Sequence, residues 1–124
     1  MAEGWSDLFA AAIMLKPYET RETATYGFAA WPLNLTTTPT TPRTARLVLY
    51  STDTKVNPWT YSKVNSLAKV HEVGTAWATM LYDVMWNLID KHGRTNAAFP
   101  KIVKGKPTDG KFLTLKLLVD AMAL

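Results

Sequence analysis

The strongest pattern in the chain predicts a long apolar helix over residues 62–92. Apolar residues recur there at alternating steps of three and four, which is helical spacing, and polar residues occupy a narrow opposite stripe. The apolar positions are Leu67, Val70, Gly74, Trp77, Leu81, Val84 and Leu88. Thr60 or Ser62 can cap the start of this helix, and Gly93 can end it. We expect other elements to cover the helix, with Trp77 as a central core residue.

Shorter helices are predicted at the two ends of the chain. Residues 4–16 carry apolar side chains at helical spacing, and Asp109 can act as the N-cap of a last helix. Between them, residues 45–50 could form a short strand or a buried turn, and the Thr/Pro-rich run over residues 36–44 indicates a loop. The sequence therefore predicts a mainly α fold in one domain, residues 1–124, built as a helical bundle around a long central helix.

The composition excludes several classes of protein. Apolar residues make up 48% and charged residues 19%, which is typical of a folded domain and not of a disordered tail. Polar residues interrupt the most apolar stretch, residues 73–89, so we expect no membrane span and no membrane partner. The net charge of +4 is scattered and does not predict nucleic-acid binding. Because the chain has no cysteine, disulfides and thiolate metal sites are excluded.

Two histidines and one acidic pair are the candidate chemical groups. Residues 71–75 read His-Glu-Val-Gly-Thr, which imitates the zinc-binding H-E-x-x-H pattern but lacks its second histidine. Glu3 and Asp7 share one helical face, which suits either a metal ligand with a supporting carboxylate or a solvated pair near the helix start. His71 could donate to an oxyanion or could be a buried packing residue. A structural role is expected for His92 at a helix C-terminus.

Five segments of the chain form a distinctive set. They are Glu3-Gly4-Trp5-Ser6-Asp7-Leu8, Asn57-Pro58-Trp59-Thr60-Tyr61, Val64-Asn65-Ser66-Leu67, Val70-His71-Glu72-Val73-Gly74-Thr75-Ala76-Trp77 and Trp86-Asn87-Leu88-Ile89-Asp90-Lys91-His92-Gly93. Segments of this kind occur in the same order in the fungalysins, the secreted fungal zinc metalloproteases. The chain resembles the C-terminal, mostly helical lobe of these thermolysin-like enzymes over nearly its whole length.

The resemblance implies roles for four residues. Glu3 matches the glutamate of the family's E-G-W-S-D motif, which is the third zinc ligand, and Asp7 would be the carboxylate that supports the site from the second shell of ligands. His71 matches the histidine that stabilises the tetrahedral intermediate. Arg46 falls near the substrate-positioning arginine, where the family commonly has R-x-Y-P-Y and this chain has Arg-Leu-Val-Leu-Tyr over residues 46–50.

The resemblance also implies that the chain is part of a secreted zinc metalloendopeptidase, which hydrolyses peptide bonds with a zinc-activated water. The two zinc-binding histidines and the catalytic glutamate of such an enzyme have no counterpart in this chain. We therefore expect the isolated chain to be inactive, and its site to need the missing N-terminal half or another chain. The substrate would be a peptide or protein. An extracellular location is implied, although residues 1–15, with Glu3 and Asp7, do not read as a secretory signal. The alternative is a stand-alone, non-catalytic helical binding or structural protein derived from a metalloprotease fragment.

Overall fold

The computed structural model describes residues 2–30, 32–34 and 43–123, and most of its regular structure is helical. Its elements in chain order are α1 (Ala2–Met14), a 3-10 helix (Tyr61–Ser66), α2 (Val70–His92), β1 (Ile102–Val103), β2 (Lys106–Pro107) and α3 (Gly110–Met122). The mainly α fold class is confirmed. Most of the predicted Thr/Pro-rich loop over residues 36–44 lies outside the described residues.

Helix α2 is central, because it packs against both α1 and α3. Its buried face joins that of α1 in one apolar cluster, to which two tyrosines from the segments between the helices, Tyr26 and Tyr50, also belong. The central members of this cluster on α2 are Tyr82, Met85 and Trp86. Among the residues that the structure describes, no helix combines the length and apolar character that a membrane span requires.

The predicted long helix is wrong at its N-terminal end. Residues 61–66 form a separate 3-10 helix, and Leu67 is extended, with φ −108° and ψ 133°. None of the residues in that 3-10 helix is buried, so no packing holds them in register with α2. The C-terminal end agrees with the prediction, since Gly93 has φ 74° and its N–H donates to the carbonyl of Ile89 at 2.7 Å.

Two further expectations from the sequence differ from the structure. Trp77 is half-buried and is not a central core residue, because it lines an apolar groove with Trp5, Leu81 and Leu117 at the junction of the three α-helices. Residues 45–50 form no strand. They are mostly bends, with a single isolated bridge between Tyr50 and Tyr26.

The start of α3 follows the prediction. The Asp109 side chain accepts a hydrogen bond from the backbone N–H of Phe112 at 3.1 Å, which is N-cap geometry. The N–H of Gly110 donates to the carbonyl of Gly93 at 2.8 Å, so the end of α2 and the start of α3 are joined directly. The short hairpin of β1 and β2 lies between α2 and α3 in the chain.

A pair of glycines sets the distance between α1 and α2. A Cβ added to Gly4 would collide with the carbonyl oxygen of Gly74, and one added to Gly74 would lie 2.7 Å from Cβ of Glu3. Side chains at these positions would force the helices apart. The close approach brings Glu3, near the N-terminus of α1, beside the first turn of α2, where His71 lies.

Candidate active site

The structure brings the four predicted site residues into one cluster. Glu3 and Asp7 lie one turn apart on α1, His71 lies in the first turn of α2, and Arg46 lies in the segment before Tyr50. Oε2 of Glu3 is 3.0 Å from Nδ1 of His71. Nη2 of Arg46 is 3.4 Å from the same Glu3 oxygen, and its Nη1 is 3.5 Å from Nδ1 of His71. A single bound group could therefore contact Glu3, His71 and Arg46 together.

Asp7 holds Arg46 by two parallel hydrogen bonds. Nε of Arg46 donates to Oδ2 at 2.7 Å, and Nη2 donates to Oδ1 at 2.9 Å. Such a paired geometry fixes the plane of the guanidinium as well as its position. The hydrogen bond to Asp7 is also the main cause that raises the pKa of Arg46 above its usual range. Arg46 therefore presents a fixed positive charge beside Glu3 and His71.

Tyr50 is a member of this cluster that the sequence did not assign. Its hydroxyl donates to Oδ2 of Asp7 at 2.6 Å, and the residue is only 1% exposed. Burial, followed by the hydrogen bond to Asp7, raises the pKa of Tyr50 above its usual range, so the hydroxyl stays a donor at neutral pH. The signal that could have found it is its position, because Tyr50 stands where the R-x-Y-P-Y motif has its last tyrosine.

The exposure of these side chains decides between the interpretations that the sequence left open. The His71 side chain is 62% exposed, so the interpretation of His71 as a buried packing residue is wrong. The Asp7 side chain is 8% exposed, so Glu3 and Asp7 are not a solvated acidic pair. The side chain of Glu3 is 42% exposed. Glu3 and His71 thus face solvent, whereas Asp7 is buried and contacts Arg46 and Tyr50.

A shallow cleft adjoins the cluster on the side of His71. Its lining includes Arg46, His71 and the exposed Lys69, together with the acidic Glu72. His92 lies at the other end of α2, away from this cleft. The structure thus places Glu3, Asp7, Arg46 and His71 together, and the chemical role of each remains a prediction.

The cluster fits one ligand of a zinc site and does not fit a complete site. Catalytic zinc is usually held by three protein ligands. Within residues 2–30, 32–34 and 43–123, no group of three His, Cys, Asp or Glu side chains could hold a metal ion. Glu3 offers a carboxylate oxygen on an open face, which is an accepted zinc donor. Further ligands would have to come from outside these residues.

The family model of the fungalysin metallopeptidases (M36) matches residues 1–124. The chain belongs to the fungalysin family. The resemblance drawn from the five sequence segments is therefore confirmed, and the family is one of metal-dependent peptidases.

Several curated relatives are similar to this fungalysin chain along its whole length. It is 52% identical to extracellular metalloproteinase 10 of Uncinocarpus reesii (strain UAMH 1704) and to extracellular metalloproteinase MEP of Neosartorya fischeri. It is 49% identical to extracellular metalloproteinase 3 of Trichophyton tonsurans. These matches cover 100% of the chain but only 18% of each of the three relatives.

Proposed function

We propose that this chain forms the helical part of an extracellular zinc metalloendopeptidase that cleaves peptide or protein substrates. In this proposal Glu3 is a zinc ligand, His71 donates to the oxyanion and Arg46 positions the substrate. The observation that carries it is the meeting of Glu3, His71 and the partly covered Arg46, from three separate segments, with 3.0 Å between Glu3 and His71. Membership of the fungalysin family and relatives named as extracellular metalloproteinases support the same function.

Each residue of the cluster has a distinct task under this proposal. Zinc, when bound, would act as a Lewis acid on the substrate carbonyl. The Nδ1 edge of His71 faces Glu3, and its other nitrogen, Nε2, when it carries a proton, would donate to the substrate oxygen at about 2.7–3.1 Å. Arg46 is fixed through Asp7 and would bind the neighbouring part of the peptide backbone with its outer nitrogen, Nη1.

The isolated chain is proposed to be inactive. A single carboxylate cannot hold a catalytic zinc, because the catalytic site needs three protein ligands and an open position. The missing ligands and the general base would be supplied by the part of the parent enzyme that this chain does not include. A stand-alone, non-catalytic helical protein is the competing proposal, and an activity experiment separates the two.

The experiment uses a chimera of a relative. These 124 residues replace the aligned stretch of the Uncinocarpus reesii extracellular metalloproteinase 10, to which they are 52% identical. We expect the chimera to cleave a quenched peptide and to lose this activity with a chelator. Glu3→Gln should remove both zinc and activity, whereas His71→Phe should keep zinc and lower kcat about 10²-fold to 10³-fold. Lys91→Ala, at an exposed position late in α2, is the control and should change neither zinc nor kcat.

Three results would contradict the proposal. A Glu3→Gln chimera with full zinc content would remove Glu3 from the ligand set. A folded, zinc-loaded chimera without peptidase activity would favour the non-catalytic alternative. Chelator-sensitive cleavage by the isolated chain, abolished by Glu3→Gln, would refute the expected inactivity.

A further inference from the structure

We propose that Tyr50 is a positioning residue of this site, which fixes the carboxylate of Asp7 and, through it, the guanidinium of Arg46. The inference rests on the proposed function for its consequence, since it adds to that site a residue that would touch neither substrate nor metal. The inference requires a rigid chain of hydrogen bonds from the core to Arg46, and this chain of bonds can be tested without measuring peptidase activity.

The carboxylate of Asp7 is held from both sides. Its Oδ2 accepts two hydrogen bonds, from the Tyr50 hydroxyl at 2.6 Å and from Nε of Arg46 at 2.7 Å. Its Oδ1 accepts one, from Nη2 of Arg46 at 2.9 Å. The two bonds to Arg46 require one orientation of the carboxylate plane. The bond from Tyr50 opposes rotation away from that orientation, because a rotated carboxylate would lengthen or break this buried hydrogen bond.

Tyr50 itself is fixed by the apolar core. Its ring packs against Phe28, with centroids 5.4 Å apart, and against Tyr82, with centroids 6.5 Å apart. Its backbone exchanges two hydrogen bonds of 2.9 Å with Tyr26. Because the ring is surrounded and the backbone is paired, the hydroxyl has a fixed location relative to α2.

Arg46 needs such an anchor because its own segment has little packing. Residues 45–48 are bends, and the neighbouring Leu47 is 61% exposed. The Arg46 backbone N–H donates to the Thr44 hydroxyl at 3.0 Å, and the Ala45 N–H donates to the carbonyl of Phe28 at 2.8 Å, so these bonds hold the backbone of the segment but not the Arg46 side chain. The side-chain fork to Asp7 therefore determines where the guanidinium lies, and Tyr50 determines how that fork is oriented.

The opposing interpretation is that Tyr50 only fills volume in the core. Tyr50→Phe separates the two, because it keeps the ring and removes the hydroxyl. Tyr82→Phe is a matched control: Tyr82 is also 1% exposed, belongs to the same aromatic cluster, and donates its hydroxyl to the carbonyl of Ala24 at 3.1 Å, not to the site. Both variants delete one buried hydrogen bond at the same depth.

The measurement is the solvent-exchange rate of the Arg46 Nε–H, followed by nitrogen-15 NMR on the 124-residue chain. Arg46→Lys assigns the signal, and circular dichroism checks that each variant is folded. We expect Tyr50→Phe to speed this exchange about tenfold, the effect of weakening one charged hydrogen bond, and Tyr82→Phe to change it less than about twofold. An unchanged rate in Tyr50→Phe, or equal acceleration in both variants, would overturn the proposal.

A second measurement uses the unmodified chain and so does not depend on whether Tyr50→Phe folds. In the unmodified chain the hydroxyl proton of Tyr50 should give a nuclear Overhauser contact to the Arg46 Nε–H. If the hydroxyl proton of Tyr82 is visible and that of Tyr50 shows no such contact, the proposed link is absent. An inactive chimera would count against the proposed function and would not affect the exchange rate or the Overhauser contact.

Discussion

Gly74 lies where α1 and α2 come closest beside the site, and Gly74→Ala is the perturbation that tests this packing most directly. The added Cβ would lie 2.7 Å from Cβ of Glu3 and 3.0 Å from the backbone nitrogen of Gly4. Carbon atoms in favourable contact are about 3.5–4.0 Å apart, so about 1 Å of separation must be created. No side chain can rotate away, because both contacted atoms are fixed to the backbone of α1.

The expected magnitude combines two opposing effects. Overpacking a well-packed contact costs about 1–3 kcal/mol. Alanine in a helix interior is favoured over glycine by about 0.5–1 kcal/mol, which offsets part of this cost. From the middle of each range we expect Gly74→Ala to lower the free energy of unfolding by about 1 kcal/mol. The separation would also lengthen the 3.0 Å contact between Glu3 and His71.

The assay is urea denaturation followed by circular dichroism, with the Glu3 and His71 side chains monitored by NMR. Lys91→Ala is the control on the same helix, because Lys91 is exposed and its substitution should change stability by less than about 0.5 kcal/mol. A Gly74→Ala chain as stable as the wild type, with unchanged signals from Glu3 and His71, would refute the close approach of α1 and α2 at this point.

Three further outcomes follow from the structure. Trp86→Ala removes a core side chain and should lower the free energy of unfolding, measured in urea, by about 3–5 kcal/mol. Trp77→Ala should lower it by less, because Trp77 is half-buried, and a larger loss for Trp77→Ala would show that Trp77 is a core residue. Asp7→Asn should cost about 3 kcal/mol because Arg46 loses its charged partner, whereas Asp120→Asn, in an exposed pair, should cost less than about 1 kcal/mol; equal costs would contradict this. Burial is the first cause that raises the pKa of three tyrosines above 10.0. Their contribution to the free energy of unfolding is therefore present below pH 10.0 and is lost as the pH rises above it. A free energy of unfolding that stays constant in urea titrations up to about pH 11 would refute this dependence. The three tyrosines are Tyr26, Tyr50 and Tyr82.

The sequence predicted helices best where local signals agreed. At the end of α2, periodicity and the left-handed glycine pointed to the same boundary, and Gly93 lies there. At its start, the apolar spacing of Leu67 and Val70 continues the stripe, although Leu67 is extended and α2 begins only at Val70. Periodicity describes which residues could share a face, and only the packing partners decide where that face ends. The same limit explains Trp77, whose position on the stripe did not show which side α1 and α3 cover.

The candidate site could be predicted only in part from local spacing. The shared face of Glu3 and Asp7 follows from their four-residue separation, but the contact of Asp7 with Arg46 joins positions 39 residues apart. No local pattern encodes such a contact, and Arg46 was proposed from the resemblance alone. The role of Tyr50 could not be predicted in this way, because the apolar residues before it predict at most a short strand and indicate no partner for its hydroxyl.

The side chains of the cluster differ in their exposure to solvent. Tyr50 and Asp7 are buried, Arg46 is partly covered, and Glu3 and His71 are open to solvent. Exposed ion pairs contribute little stability, so the contact of Glu3 with His71 adds little to the folded state. The buried bonds between Tyr50, Asp7 and Arg46 cost desolvation, and they recover it only by holding a precise geometry. A cluster that contacts a substrate would need exposed groups on a rigid, buried support, so this order of exposure supports the proposed function.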